Sequence, residues 1–474
     1  MTPSQPNILL FLTDDHGQWA TGCYGNAALP TPNLDRLAAE GVRFANAFTP
    51  SPVCSPARAC LLTGRTPSQV GIHDWLQEAV PVIGDFDWLA GETTLPQLLS
   101  AAGYHCGLSG KWHLGRSHAT PPGFAWGFGL PRWQGVHNGR YTYHRNGEPV
   151  ELDGNKSTLI TDHALEFLEN APDDKPFFLN VGYIATHSPY DAASHDPALT
   201  ARFADHDFAE IPAYRPHPWN RNEGLAGGFK PTEEQIRTRY VGYYASVVEI
   251  DREVGRLLAR LEETGQLENT IVIYTSDHGC SLGHHGYWGK GNSTRPLNMY
   301  ETSLRVPLLA CGPGIAAGQV IAQSVDHYDS FQAICAWAGV ELPDLAYPGR
   351  SYASLAGGEN ADWDDTRYGE YGDLRMIRTP EHKYVVRYPT GPHDLYSLAE
   401  DPNETINRAG WDEYHPLQIQ LDEQLAEWYR AHEESDNSGR AVKFQRVHNR
   451  NEAWRDGRRE RAGLQVYDLW GVES

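Results

Sequence analysis

The chain has 474 residues, 40% apolar and 21% charged, the balance of a soluble globular protein too long for one small core. Its formal charge of −22 excludes a nucleic-acid partner, which would need clustered Lys and Arg, and leaves any anionic ligand to be drawn by local cations. The apolar run Ile8–Leu12 is too short for a membrane span or a signal segment, so no membrane partner is expected and the chain reads as cytosolic.

In chain order, Asn7 to Thr13 reads as a buried parallel strand ending at Asp14-Asp15-His16-Gly17, and ligands of α/β proteins gather beyond such ends. Two adjacent carboxylates there repel each other, so they either cap a turn or share a cation. Thr31–Gly41 is a capped helix. Cys54 then opens a helical pattern, with Pro56 in its first turn and Gly64 as its stop. That places a thiol against unpaired backbone N–H groups and the positive end of the helix dipole, with Arg58 one turn on. Taken alone, such a Cys is a small buried hydrophobe.

Thr93–Gly103 is a second capped helix, and the strand Tyr104–Ser109 delivers Lys111 and His113, a cation and an imidazole spaced to face one side of extended backbone. Thr161–Asn170 reads as a helix, and the strand Lys175–Tyr183 leads to His187 ahead of Pro189. Residues 191–230 form a long Pro- and Gly-rich loop expected to shape substrate access. A capping box at Thr232–Gln235 opens a long core helix, and Asn269–Thr275 is a strand ending in Ser276-Asp277-His278-Gly279. Two acidic strand tips can converge on one cation. Lys290 follows between glycines that allow close approach of a ligand, and Leu304–Ala310 returns to the sheet.

Beyond about residue 345 the buried strands give way to short half-polar ones at 374–379, 382–388 and 394–398, the pattern of a small antiparallel sheet, followed by a helix over 416–432. Two domains are expected, 1–355 and 356–474. The C-terminal stretch carries eight cations, at 440, 443, 446, 450, 455, 458, 459 and 461, expected to lie on an acidic surface of this chain or a second subunit, or to reach an anionic substrate. Seven cysteines without a CxxC pair suit free thiols.

The string Cys54-Ser-Pro-Ala-Arg58 with Thr63-Gly64 resembles the signature of the formylglycine-dependent sulfatases of the alkaline phosphatase superfamily. Asp14-Asp15, Gly110-Lys-Trp-His-Leu-Gly115, His187 before Pro189, Ser276-Asp-His-Gly279, Gly289-Lys290, Arg305-Val-Pro307 and the 375–403 strands extend the likeness over nearly the whole chain. The resemblance implies an alkaline-phosphatase-like α/β fold: a mixed, mostly parallel sheet flanked by helices, with a smaller α+β C-terminal domain. It implies sulfate monoester hydrolysis by a formylglycine hydrate made from Cys54, which requires a formylglycine-generating enzyme for maturation.

By the same resemblance Asp14, Asp15, Asp277, His278 and modified Cys54 hold one divalent cation, Ca²⁺, or Mn²⁺ given an imidazole at 278 where many relatives have Asn. Arg58, Lys111, His113, His187 and Lys290 would complete the catalytic set, with His187 or Lys290 protonating the leaving oxygen. His73, Trp75 and Arg375 are candidate contacts to the substrate, an aryl or carbohydrate sulfate, small molecule or oligosaccharide. Trp133 is among the tryptophans close to these segments, whose faces suit sugar rings. The competing readings are a phosphonate monoester or phosphodiester hydrolase using the same site, and a binder with Cys54 unconverted. The sequence leaves room for a homo-oligomer.

Overall fold

β1 (Asn7–Thr13) is seven consecutive buried residues, with Ile8, Leu10 and Leu12 packed on one face and Leu9 and Phe11 on the other, as a strand covered on both sides requires. In this computed structural model, which describes residues 5–131, 135–220 and 231–455, β1 lies inside a ten-stranded sheet. Its other members are β2 (Val42–Phe48), β3 (His105–Gly110), β4 (Trp126–Gly129), β5 (Asn138–Arg145), β6 (Glu148–Asn155), β7 (Phe177–Gly182) and β8 (Thr270–Ser276). After a short hairpin of β9 (Ser281–Leu282) and β10 (Trp288–Gly289) come β11 (Leu308–Cys311) and β12 (Gln319–Asp326).

The strand order is β12-β2-β11-β8-β1-β7-β3-β4-β5-β6. Pairing is parallel from β8 through β4 and between β2 and β12, while β11 and β5 run antiparallel to both neighbours. Helices Cys54–Thr63, Leu95–Ala101 and His327–Trp337 cover one face; Pro32–Glu40, Lys156–Asn170 and Glu233–Glu263 cover the other. The longest of these starts at the expected capping box, Gln235 N–H donating to Thr232 Oγ1 at 3.2 Å and Thr232 N–H to Gln235 Oε1 at 2.9 Å. No helix among the described residues is long and apolar enough to cross a membrane.

The expected strand over 304–310 begins only at Leu308, because Glu301–Leu304 is a short helix and Pro307 has no N–H to give the ladder. The β5–β6 hairpin turns on Asn146-Gly147, at φ 51° and 85°, a two-residue turn of the kind that matches strand twist.

The C-terminal sheet is antiparallel throughout: β13 (Arg367–Tyr371), β14 (Leu374–Arg378), β15 (His382–Arg387) and β16 (Asp394–Ser397). The helix His415–Ala431 lies on it through Leu421, Leu425 and Tyr429. Buried cations join this sheet to the loop after β10. Arg387, fully buried, pairs with Asp394 at 2.6 Å and donates to the Leu297 carbonyl at 2.8 Å. Lys383 donates to the Met299 carbonyl at 2.7 Å and pairs with Glu404. Arg387→Ala leaves the Leu297 carbonyl without its donor and takes the buried counter-charge from Asp394, which among the described residues keeps only the Asn407 amide at 3.1 Å, and is expected to cost about 3–5 kcal/mol, read as a shift in denaturant midpoint. Residues 440–455 fold back on this same molecule; the expected cations Arg458, Arg459 and Arg461, and Trp133, lie outside the described residues.

Candidate active site

Register alone brings the two acidic tips together. β1 and β8 pair in parallel with Thr13 opposite Ser276, so the next residues, Asp14 and Asp277, emerge side by side at the carboxyl end of the sheet. β3 and β7 end at the same edge, Gly110 opposite Gly182, and release Lys111 and the segment carrying His187. The Cys54–Thr63 helix points its N-terminus at this edge with no side chain capping it, so its first-turn N–H groups and dipole favour negative charge there.

Cys54 Sγ sits 3.4 Å from Asp14 Oδ1, 3.4 Å from His278 Nε2 and 2.9 Å from Lys290 Nζ. Lys290 Nζ also lies 2.6 Å from Asp15 Oδ1 and 3.2 Å from His278 Nε2. Lys111 Nζ pairs with Asp14 Oδ2. Arg58, 1% exposed, donates from Nε to Asp277 Oδ2 at 2.9 Å and from Nη1 to the Lys111 carbonyl at 3.0 Å, while its buried Nη2 has no partner among the described residues. Arg58 therefore sits behind the thiol and fixes both a carboxylate and the loop that carries Lys111. Tyr190 and Tyr243, which no motif marks, hold Asp15, Tyr190 OH on Oδ2 at 3.0 Å and Tyr243 OH on its carbonyl at 2.7 Å.

Charge sets the protonation states. Burial and Asp14 push the Cys54 thiol up, but Lys111 and Lys290 outweigh them and hold it below its usual value. Burial opposes ionisation of Asp14 and Asp15, yet Lys111 for the first and Lys290 for the second keep both below the ordinary carboxylate range. Burial depresses His278, but Asp277 more than compensates and its pKa rises to about 9. The carboxylate field at this point calls for positive charge, as a proton or as a metal ion. His113 is pushed down to about 4 by burial and by Lys111, so it is neutral at neutral pH.

The donor set fits a divalent cation. Ligand atoms of Asp14, Cys54, Asp277 and His278 lie within 4.8 Å of one another, as do those of Asp14, Asp15, Cys54 and His187. His278 Nδ1 is 2.9 Å from the Gly279 carbonyl, to which it donates, and this turns Nε2, the atom that would give up its proton to ligate a cation, towards the carboxylates. Three carboxylates against one imidazole make a hard, oxygen-rich site.

A cavity of about 440 Å³ opens over Cys54, and Lys111, His113, His187, Lys290 and Trp75 line it. His113 and Lys111 meet there although the backbone between them is not extended: His113 has φ 63°, and its Nε2 donates to the Leu76 carbonyl at 2.8 Å. Gln77, Glu78 and Asn292 also line the cavity. Gln77 and Glu78 lie in the irregular segment 75–79 and Asn292 in the short turn Gly291–Ser293, and neither stretch carries a periodicity or motif that marks them.

Two candidate contacts are misplaced. His73 is buried with Nε2 2.6 Å from the Asn437 carbonyl and does not line the cavity. Arg375, 3% exposed, is held by Glu370 at 3.0 Å and by Glu433 at 2.5 Å, so its charge is spent inside the C-terminal sheet. The loop after residue 190 does not line this cavity among its described residues; Pro212, Ala213 and Arg215 border a separate one with His284 and His285.

Residues 6–340 match the sulfatase family model, and residues 283–431 match that of the N-sulphoglucosamine sulphohydrolase C-terminal region. The N-acetylglucosamine-6-O-sulfatase of Bacteroides thetaiotaomicron is 29% identical over 91% of this chain and 88% of its own. A structure described as a complex with its substrate D-glucosamine-2-N,6-O-disulfate superposes with TM-score 0.77 at 28% identity, covering 92% of this chain and 99% of that one. A phosphonate monoester hydrolase of Agrobacterium radiobacter shares the fold at TM-score 0.72 and 22% identity, over 90% of this chain and 96% of that one.

Proposed function

This chain belongs to the sulfatase family and is a sulfuric ester hydrolase, and from that premise we propose that it removes sulfate from a carbohydrate through a nucleophile made by oxidising Cys54 to formylglycine. The observation that carries the reading is the meeting of Asp14, Asp15, Asp277 and His278 around Cys54 Sγ, with Lys111 and Lys290 alongside. The sugar substrate rests on the names of the relatives and on Trp75 in the cavity wall, whose face suits a sugar ring.

A sulfate ester shields its sulfur with anionic oxygens, so attack needs that charge neutralised in a site arranged beforehand. Lys111 and Lys290 meet the oxygens, and Arg58 keeps Asp277 and the Lys111 loop in place. A divalent cation, calcium by likeness to the family or manganese given His278, would be held by Asp14, Asp15, Asp277 and His278 and would supply Lewis-acid polarisation and a lowered pKa for the attacking hydroxyl. The hydrated aldehyde at residue 54 supplies two hydroxyls on one carbon, one to bond sulfur and the other to drive the C–O cleavage that frees sulfate.

Two histidines divide the proton work. Asp15 holds the Lys290 ammonium at 2.6 Å as fixed counter-charge, so His187 is assigned the proton that goes to the departing sugar oxygen. With Nε2 committed to the Leu76 carbonyl, the buried Nδ1 of His113 has no hydrogen-bond partner among the described residues and is the atom that takes the proton as sulfate leaves. A base must be neutral to act, and His113 is neutral above about pH 4. Loss of kcat through its protonation is therefore expected near pH 4, well below the range of an ordinary imidazole. His113→Gln should lower kcat about a hundredfold or more and remove that acid limb from the pH profile.

The test of the function is turnover of sulfated monosaccharides beside an aryl phosphonate. Faster hydrolysis of the sulfate esters supports the reading; a preference for the phosphonate would move the chain to the phosphonate hydrolase chemistry of its structural neighbour.

A further inference from the structure

Residues 440–455 tie together the two lips of the catalytic cavity. On one lip, Gln77 N–H donates to the His448 carbonyl at 2.9 Å, Arg450 N–H donates to Gln77 Oε1 at 3.1 Å, and Asn449 Nδ2 donates to the Trp75 carbonyl at 2.9 Å. On the other, Arg295 donates to the Asn451 carbonyl at 2.8 Å and to the carbonyl of cavity-lining Asn292 at 3.1 Å. A buried pair, His448 Nδ1 with Glu452 Oε1 at 2.8 Å, fixes the bend between them.

What this segment then presents to solvent is unlike the rest of the protein. Arg440, Lys443, Arg446 and Arg450 are exposed, and the only acid from 440 to 455, Glu452, is buried against His448 and Arg455. Among the described residues none of Lys443, Arg446 and Arg450 makes an ion pair. Apolar surface runs between these cations: Phe444 is 81% exposed, and Arg446 lies over the exposed ring of Phe86 at 3.7 Å. A cationic and aromatic strip beginning at the cavity mouth, on a chain of charge −22, has a function to explain.

We propose that this strip is an outer binding surface for a sulfated oligosaccharide, so that the substrate is a chain bearing further sulfates beyond the one removed. The proposal rests on the sulfatase reading for what the cavity does, and on charge complementarity for what the strip holds. Guanidinium groups pair with sulfate oxygens in a fork, and a ring such as Phe444 offers a face to a sugar. The strip abuts Gln77 in the cavity wall, so one chain can occupy both.

The test is calorimetric binding to the full-length Cys54→Ala protein, comparing a heparin-derived hexasaccharide with glucosamine 6-sulfate. The hexasaccharide is expected to bind at least about tenfold tighter at low salt, with a steeper loss of affinity as salt rises. The salt response of this otherwise unaltered chain needs no further variant. Adding Arg446→Glu and Arg450→Glu should abolish the hexasaccharide advantage. Equal affinity for the two ligands, or an advantage that survives charge reversal, overturns the proposal. Pelleting with phosphatidylcholine–phosphatidylglycerol vesicles, lost in the same double variant, would assign the strip to a membrane instead. Parallel assays of the Cys54 protein on nitrophenyl sulfate separate the two readings: no turnover there counts against the sulfatase chemistry and leaves the binding result standing.

Discussion

Cys54→Ala is expected to lower kcat/KM on a sulfate ester by at least about ten-thousandfold while leaving the fold intact, since the proposed nucleophile is lost and only the charged surroundings remain. The thiol is 2% exposed and its neighbours are held by their own partners, Lys111 by Asp14 and Arg58 by Asp277, so removing Sγ does not release them. Cys54→Ser separates the roles of the two hydroxyls. A serine oxygen can bond sulfur and release the sugar, but it has no second hydroxyl on the same carbon to expel sulfate. A burst of about one sugar per protein followed by a stall is the outcome expected from a rapid-quench assay. Sustained turnover by the serine variant would show that the second hydroxyl is not needed.

Asp277→Asn carries the next largest effect. It removes a carboxylate from the proposed metal set and the partner of a guanidinium buried to 1% exposure. Activity is expected to fall about a thousandfold, and stability by about 3 kcal/mol as Arg58 loses its counter-charge. Calcium should raise the melting temperature of the parent protein through linkage and fail to raise that of the variant. An equal calcium response in both would take Asp277 out of the metal site.

The edge that carries the candidate site was legible in the sequence because each of its parts lies at the end of a buried strand. Asp14-Asp15, Lys111, His187 and Asp277-His278 each follow an apolar run, and parallel register does the rest, setting Thr13 beside Ser276. Parts built by irregular backbone were not legible. Trp75 was named, but Gln77 and Glu78 beside it carry no periodicity, and the side chain of Gln77 is bonded to a segment 373 residues away in sequence. Arg375 and His73 show the opposite failure. Residue type suggested substrate contact, whereas burial against Glu370 and the Asn437 carbonyl commits both to structure. The β5–β6 hairpin had a usable signal in Asn146-Gly147 between Tyr143 and Val150, a turn chemistry that was passed over. Lys111 and His113 were paired for the wrong reason: alternation on extended backbone was the premise, and the left-handed His113 with its bond to Leu76 is what turns the ring to the cavity.

The catalytic reading depends most on the chemical form of residue 54 in protein that turns over sulfate esters. Mass spectrometry of the peptide spanning this position, in protein co-produced with a formylglycine-generating enzyme, measures it directly. An aldehyde-bearing residue, in a fraction that rises and falls with specific activity across preparations, is the expected result. Fully active protein carrying only the unmodified thiol at position 54 would contradict it.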